Sequence, residues 1–87
     1  MTSYKIIVCG KVQGVYYRKT IKQNSSKLGF QGYVKNLKNG DVEVGVLLNE
    51  DTYDIFMKIL KKGSANSRVD KLIVKEIDES FEGFVIR

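Results

Sequence analysis

With 87 residues, 43% of them hydrophobic, the chain has room for one small domain spanning 1–87, whose core holds little redundancy because a chain this short buries only about 60–65% of its unfolded surface. Fifteen Lys and Arg against ten Asp and Glu give a formal net charge of +5, which favours anionic partners. The absence of histidine and the single cysteine remove the commonest general base and metal ligand, so neither a zinc or copper site nor an internal disulfide is expected.

Tyr4 to Gly10 alternates Tyr4, Ile6, Val8 against Lys5, Ile7, Cys9. Both faces are apolar, which predicts a central strand with Cys9 as a small buried hydrophobe. Arg18 to Leu28 follows as a helix with Tyr17, Ile21, Ser25 and Leu28 along its inward stripe, and Gly29 stops it. Phe30 to Leu37 reads as a second strand. Asn39-Gly40 predicts a two-residue hairpin with positive φ at both central positions. Asp41 to Leu48 is the third strand, with Val42, Val44, Val46 and Leu48 on one face. Asn49 caps a second helix that has Glu50 and Asp51 in its first turn and Lys58, Lys61 and Lys62 toward its end, as the helix dipole favours. Its inward stripe is Tyr53, Phe56, Met57 and Leu60, widened by Ile59. Gly63 closes the helix, and a loop runs to Ser67. Arg68 to Ile77 is a fourth strand, Asp78 to Glu82 a turn, and Phe84 to Arg87 a short final strand. An antiparallel sheet with both helices on one face buries both stripes. The fold class is therefore α+β, a ferredoxin-like βαββαβ sandwich with a short C-terminal strand.

No run approaches the about 18 apolar residues that a membrane span requires. Met1 to Lys5 enters strand pattern directly, without the basic and apolar regions of a signal peptide. A cytoplasmic chain with no membrane partner is expected.

The chemistry concentrates between the first strand and the first helix, in Gly10-Lys11-Val12-Gln13-Gly14-Val15-Tyr16-Tyr17-Arg18. A strand-to-helix turn with glycines aims several backbone N–H groups at one place, where anions bind readily. No Ser, Thr, Asp or Asn stands between Lys11 and Tyr17 to cap the helix, so its first donors are open to a bound anion.

The pattern Gly10-x-Val12-Gln13-Gly14-Val15-x-Tyr17-Arg18 resembles the G-x-V-Q-G-V-x-[FY]-R motif of the acylphosphatase family. Leu28-Gly29-Phe30-x-Gly32-Tyr33-Val34-x-Asn36 is similar to that family's L-G-[LF]-x-G-[WFY]-V-x-N. Asn39-Gly40-x-Val42-Glu43 and Phe84-x-Ile86-Arg87 extend the likeness over essentially the whole chain. The resemblance implies the ferredoxin-like fold and hydrolysis of the carboxyl–phosphate bond of small acyl phosphates, with Arg18 and Asn36 catalytic and the phosphate held by Gln13, Gly14, Val15, Tyr16, Tyr17 and Arg18. Three features depart from the family pattern. Ser25 stands where Ala is usual. Leu47 and Leu48 replace small and polar residues, which is expected to alter the strand end and a wall of the site. The loop from Gly63 to Ser67 has no proline and is expected to be looser.

An acyl phosphate leaves as a carboxylate, already a weak base, so no general acid is needed. The enzyme must grip the phosphoryl group, neutralise its oxygens and aim a water in line. Backbone amides from Gln13 to Arg18 supply the grip, and Arg18 a fork of donors matched to phosphate oxygens. By the resemblance, Asn36, near the end of the second strand, is expected to orient the water; read without the family, it is a strand-end turn residue. No metal or other cofactor is expected, and orthophosphate is both product and weak ligand. A P-loop is excluded, since Gly14-Val15-Tyr16 stands where Gly-Lys-Ser/Thr belongs. An RNA-recognition module shares the element order, but its third strand presents stacking aromatics and Asp41 to Leu48 has none, so nucleic acid is not an expected partner. A binding-only relative remains the other alternative. A monomer is expected. No acyl pocket is legible.

Overall fold

The structure is a computed structural model describing residues 1–87. In chain order it comprises β1 (Thr2–Lys11), α1 (Tyr17–Lys27), β2 (Gly32–Asn36), β3 (Val42–Leu48), α2 (Glu50–Lys62), β4 (Arg68–Ile77) and β5 (Phe84–Ile86). One sheet runs in the order β4-β1-β3-β2-β5. β1 pairs antiparallel with β3 and β4, and β2 antiparallel with β3. β5 adds beside β2 in parallel, so the sheet is mixed at one edge. The fold is the expected ferredoxin-like α+β architecture.

The alternation of β3 decides where the core lies. Val42, Val44, Val46 and Leu48 are all buried, and Ile6 and Val8 of β1 lie on the same side. Against them pack Tyr17 and Ile21 of α1 and Phe56, Met57 and Leu60 of α2. Tyr53 and Ile59 sit half-buried at the flanks of α2. Asn49 accepts a hydrogen bond from the Thr52 amide while the Thr52 hydroxyl accepts one from the Asn49 amide, a capping box that starts α2.

Leu28 does not complete the α1 stripe and is 60% exposed. The helix ends at Lys27, Leu28 is its C-cap, and Gly29 turns left-handed at φ 80°. The Phe30 amide bonds back to the Ser25 carbonyl at 2.9 Å. Phe30 then takes the core place, its ring edge-on to Phe56 at 5.2 Å between centroids.

The β2–β3 hairpin also differs from expectation. Gly40 has φ 98°, but Asn39 does not adopt positive φ. The connection is a three-residue loop, closed by Leu37 N–H to Asp41 O at 2.9 Å and Gly40 N–H to Leu37 O at 3.3 Å. The Asn39 side chain accepts from the Asp41 amide at 3.0 Å instead, a local bond that makes a left-handed Asn39 unnecessary.

Cys9 is not a buried hydrophobe. It lies opposite Lys71, on the face of β1 away from the core, half-buried with Sγ 3.6 Å from Asp41 Oδ2. Loss of solvent and the Asp41 carboxylate push its thiol pKa up, which makes it a poor nucleophile.

Candidate active site

β1 breaks register between Cys9 and Gly10. Gly10 adopts φ 142°, and a Cβ there would run into the Arg68 carbonyl oxygen. Pairing with β4 resumes at Gly10 and Lys11, and the chain then leaves the sheet into the loop from Val12 to Tyr16. Val12 and Val15 anchor that loop by burying their side chains in the core. Between them Gly14 has φ 72°, and after them Tyr16 has φ 60° and ψ 23°. Left-handed residues interspersed this way curl the main chain so that successive N–H groups point into one concavity.

Those donors are open. None of the main-chain N–H groups from Gln13 to Lys19 donates to a protein acceptor; the first bonded amide is Thr20, to Tyr16 O at 3.1 Å. Helix α1 begins with no side-chain cap and no acidic residue in its first turn. Its positive dipole end therefore faces the same space.

Three side chains hold the loop from outside. Gln13 Nε2 donates to Leu37 O and to Asp41 O, both at 2.8 Å. Ser64 Oγ donates to Val15 O at 2.6 Å. Tyr17 Oη donates to Leu60 O at 2.8 Å. The proline-free loop is joined to the site by the same residue: Ser67 Oγ accepts from the Ser64 amide at 2.9 Å, and Ser64 Oγ reaches Val15 O.

A concavity of about 410 Å³ is lined by Val12, Gln13, Gly14, Tyr16, Tyr17, Arg18, Lys19, Asn36 and Ile86. Arg18 is half-exposed and forms no ion pair; the three ion pairs of the molecule join Lys35 to Glu43, Arg68 to Asp70 and Arg87 to Glu79. Asn36 ends β2 and is exposed. The wall holds two cations and no carboxylate, an environment suited to an anion with several oxygens.

Of the residues expected here, Arg18, Asn36, Gln13, Gly14, Tyr16 and Tyr17 line one wall. Val15 stands behind it, its side chain in the core and its carbonyl held by Ser64. Leu47 and Leu48 are no part of the wall. They end β3 opposite Ser3 and Thr2, at the other end of the strand from Val42, which pairs with Asn36. Lys19 and Ile86 line the wall without having been anticipated. Ile86 is brought there by the parallel pairing of β5, which sets it opposite Val34; only its place in the C-terminal motif hinted at this. Nowhere do three His, Cys, Asp or Glu side chains gather as a metal site would require.

A sequence model of the acylphosphatase family matches residues 4–86. An acylphosphatase of Vibrio vulnificus is 41% identical over 83 residues, covering 94% of this chain and 92% of the relative. One of Caldivirga maquilingensis is 38% identical over 86 residues, covering 95% and 90%. The crystal structure of acylphosphatase from Bacillus subtilis superposes with a TM-score of 0.91 at 35% identity, covering 100% of this chain and 99% of that one. Matched in sequence and in fold along nearly its full length, the chain belongs to the acylphosphatase family and is a hydrolase of that kind.

Proposed function

We propose that the chain cleaves the carboxyl–phosphate bond of small acyl phosphates by a division of labour between its amide cradle and two side chains. The main-chain N–H groups from Gln13 to Arg18 bind the phosphoryl oxygens, and the Arg18 guanidinium neutralises charge that builds on them. The Asn36 side chain orients a water. The water oxygen bonds to phosphorus as the bond from phosphorus to the carboxyl oxygen breaks. The electron pair leaves with the carboxylate, and the water's proton is lost to solvent or a phosphate oxygen. The products are a carboxylate and orthophosphate. The reaction needs no metal or organic cofactor. Orthophosphate returns as a weak competitive ligand, and the chain acts as a cytoplasmic monomer.

The observation that carries this reading is the uninterrupted run of unpaired N–H groups from Gln13 to Lys19, of which all the residues but Val15 line one concavity with Asn36. Purified chain supplied with benzoyl phosphate is expected to release benzoate and orthophosphate in equal amounts, with orthophosphate inhibiting competitively. Benzoate release no faster than spontaneous hydrolysis overturns the proposal.

A further inference from the structure

We infer that Ser64 is a positioning residue: by holding the Val15 carbonyl, its hydroxyl keeps the Tyr16 N–H turned into the concavity as one of the phosphoryl donors. This rests on the hydrolytic reading above and adds to it what fixes one member of the amide row.

Ser64 lies 49 residues from Val15 along the chain, directly after the C-cap of α2 at Gly63, and donates from Oγ to Val15 O at 2.6 Å. The Val15–Tyr16 peptide is trans, like every other in the chain. In a trans peptide the C=O and the following N–H point in opposite directions. One hydrogen bond to the carbonyl therefore sets the direction of the Tyr16 N–H as well. Tyr16 lines the concavity and Ser64 does not. The carbonyl thus faces the end of α2, and the N–H faces the concavity, where it has no protein acceptor.

Backbone strain gives this bond a task. Tyr16 has φ 60° and ψ 23°, and no other non-glycine residue has positive φ. That conformation is unfavourable for a bulky side chain and persists where the surroundings hold it. The ring does not supply the hold, being 80% exposed. On its C-terminal side Tyr16 is tied, its carbonyl accepting from the Thr20 N–H at 3.1 Å and the Thr20 hydroxyl at 2.9 Å. The peptide before it is the remaining joint. Turning that peptide over by about half a turn brings Tyr16 to negative φ and relieves the strain. It also breaks the Ser64 bond, removes the Tyr16 N–H from the row and puts the Val15 carbonyl oxygen in its place, its negative end toward the phosphoryl oxygens. Ser64 is built to oppose this. Its N–H donates to Ser67 Oγ at 2.9 Å, and its carbonyl accepts from the Ser67 hydroxyl at 3.0 Å and the Ser67 N–H at 3.2 Å. Gly63 before it is packed so closely that a Cβ would run into Ser67 Oγ and the Tyr17 ring.

Ser64→Ala removes the tie and leaves every donor in the chain. A ligand must then select the competent arrangement from a mixture, which weakens binding by the fraction lost and leaves the bound complex as before. The inhibition constant for orthophosphate and KM for benzoyl phosphate are each expected to rise about fivefold, the factor set by one hydrogen bond of ordinary net strength. The same variant is expected to change kcat by less than about twofold. Ser64→Thr keeps a hydroxyl and is expected to restore both constants. Tyr16→Gly removes the strain, since glycine is at ease with positive φ, so Ser64→Ala is expected to weaken orthophosphate binding less in that background. A measurement on the unaltered chain needs no variant: added orthophosphate is expected to shift the Tyr16 amide resonances. Orthophosphate that binds without moving the Tyr16 amide, or a folded Ser64→Ala chain with both constants unchanged, overturns the positioning role while the hydrolase stands. An unaltered chain that neither binds orthophosphate nor hydrolyses benzoyl phosphate overturns both.

Discussion

Gln13 Nε2 lies 2.8 Å from the carbonyl oxygen of Leu37, the residue that directly follows Asn36. The same nitrogen reaches Asp41 O on the returning strand at 2.8 Å. One amide group thereby ties the loop between β1 and α1 to the β2–β3 hairpin that carries Asn36. Gln13→Ala is expected to lose two hydrogen bonds to main-chain carbonyls, about 1–2 kcal/mol of stability. It is also expected to lower kcat by about tenfold, because a displacement of about 1 Å between reacting groups has effects of this size or larger. Denaturant melts and steady-state kinetics check the two parts separately. Lost stability with kcat unchanged would show that the tie is structural only.

Ser25 presents a different kind of departure. It is fully buried on α1, and its Oγ has no hydrogen-bond partner. A buried hydroxyl left unpaired costs about 1–3 kcal/mol. Ala also has the higher helix propensity. Ser25→Ala is therefore expected to raise the melting temperature by about 4 °C or more, taking the lower end of that cost and the size of the domain. A lower melting temperature would mean that the hydroxyl is satisfied in solution.

The contrast between Gln13 and Ser25 shows where sequence reading works here. Periodicity placed the elements well, because β3 and α2 each bury one regular face and nothing competes with that demand. It went astray at element ends. Leu28 follows helical spacing, but the helix stops at Lys27 and the next turn hands the core position to Phe30. Asn39-Gly40 predicts a two-residue turn, and an Asn39 side-chain bond to the Asp41 amide allows a different one. Within the candidate site, Gly14 and Arg18 stand out in the sequence because both belong to the motif from Gly10 to Arg18, and both line the concavity. The ties from Gln13 to Leu37 and from Ser64 to Val15 span 24 and 49 residues. No local pattern encodes contacts of that length. Ile86 reaches the wall only through the parallel pairing of β5, which an alternation of three residues does not specify.

The tyrosines give the pH dependence a definite sign. Burial holds the Tyr17 phenol well above its ordinary range. Burial, followed by the bond to Glu43 at 2.8 Å, does the same for Tyr33. A group whose pKa is higher folded than unfolded contributes stability that is fully present below the unfolded pKa, about 10 for tyrosine. That contribution is lost as pH rises from there through the folded pKa, since the unfolded chain gives up its proton first. Stability is expected to hold from neutral pH to about 10 and then to fall. Denaturant melts from pH 8 upward check this; Tyr17→Phe is expected to flatten the decline. Turnover, by contrast, is expected to be level between about pH 5 and 8 once substrate ionisation is corrected for, since the chain has no histidine. A bell with both limbs inside that range would reveal an acid–base pair outside the scheme.

Turnover is expected to survive exhaustive chelation. In the proposed scheme the open amides and the Arg18 and Lys19 side chains lining the concavity take the electrostatic role often given to a divalent ion. Activity measured after dialysis against EDTA should match that of untreated chain. A loss restored by a divalent ion would place a metal in the mechanism.

The last prediction separates Arg18 from Asn36. Arg18 forms no ion pair and lies beside the open amides, so its guanidinium is free to hold phosphoryl oxygens in ground and transition states alike. Asn36 reaches the same concavity from the far strand end, without belonging to the amide row. Arg18→Gln is expected to lose both orthophosphate binding and turnover. Arg18→Lys should recover little, because a point charge does not reproduce the planar fork. Asn36→Ala should lower kcat by on the order of 10² or more, the scale on which a positioned polar group contributes to a transition state. Its inhibition by orthophosphate should remain close to that of the unaltered chain, since the amide row and Arg18 are intact. Neither side chain belongs to the buried core, so both variants should melt near the unaltered chain, and the kinetics can be read as chemistry. The decisive comparison is the inhibition constant for orthophosphate in Asn36→Ala against its single-turnover rate. If binding weakens as much as in Arg18→Gln while the chemical step keeps its rate, Asn36 grips phosphate and another group must hold the water.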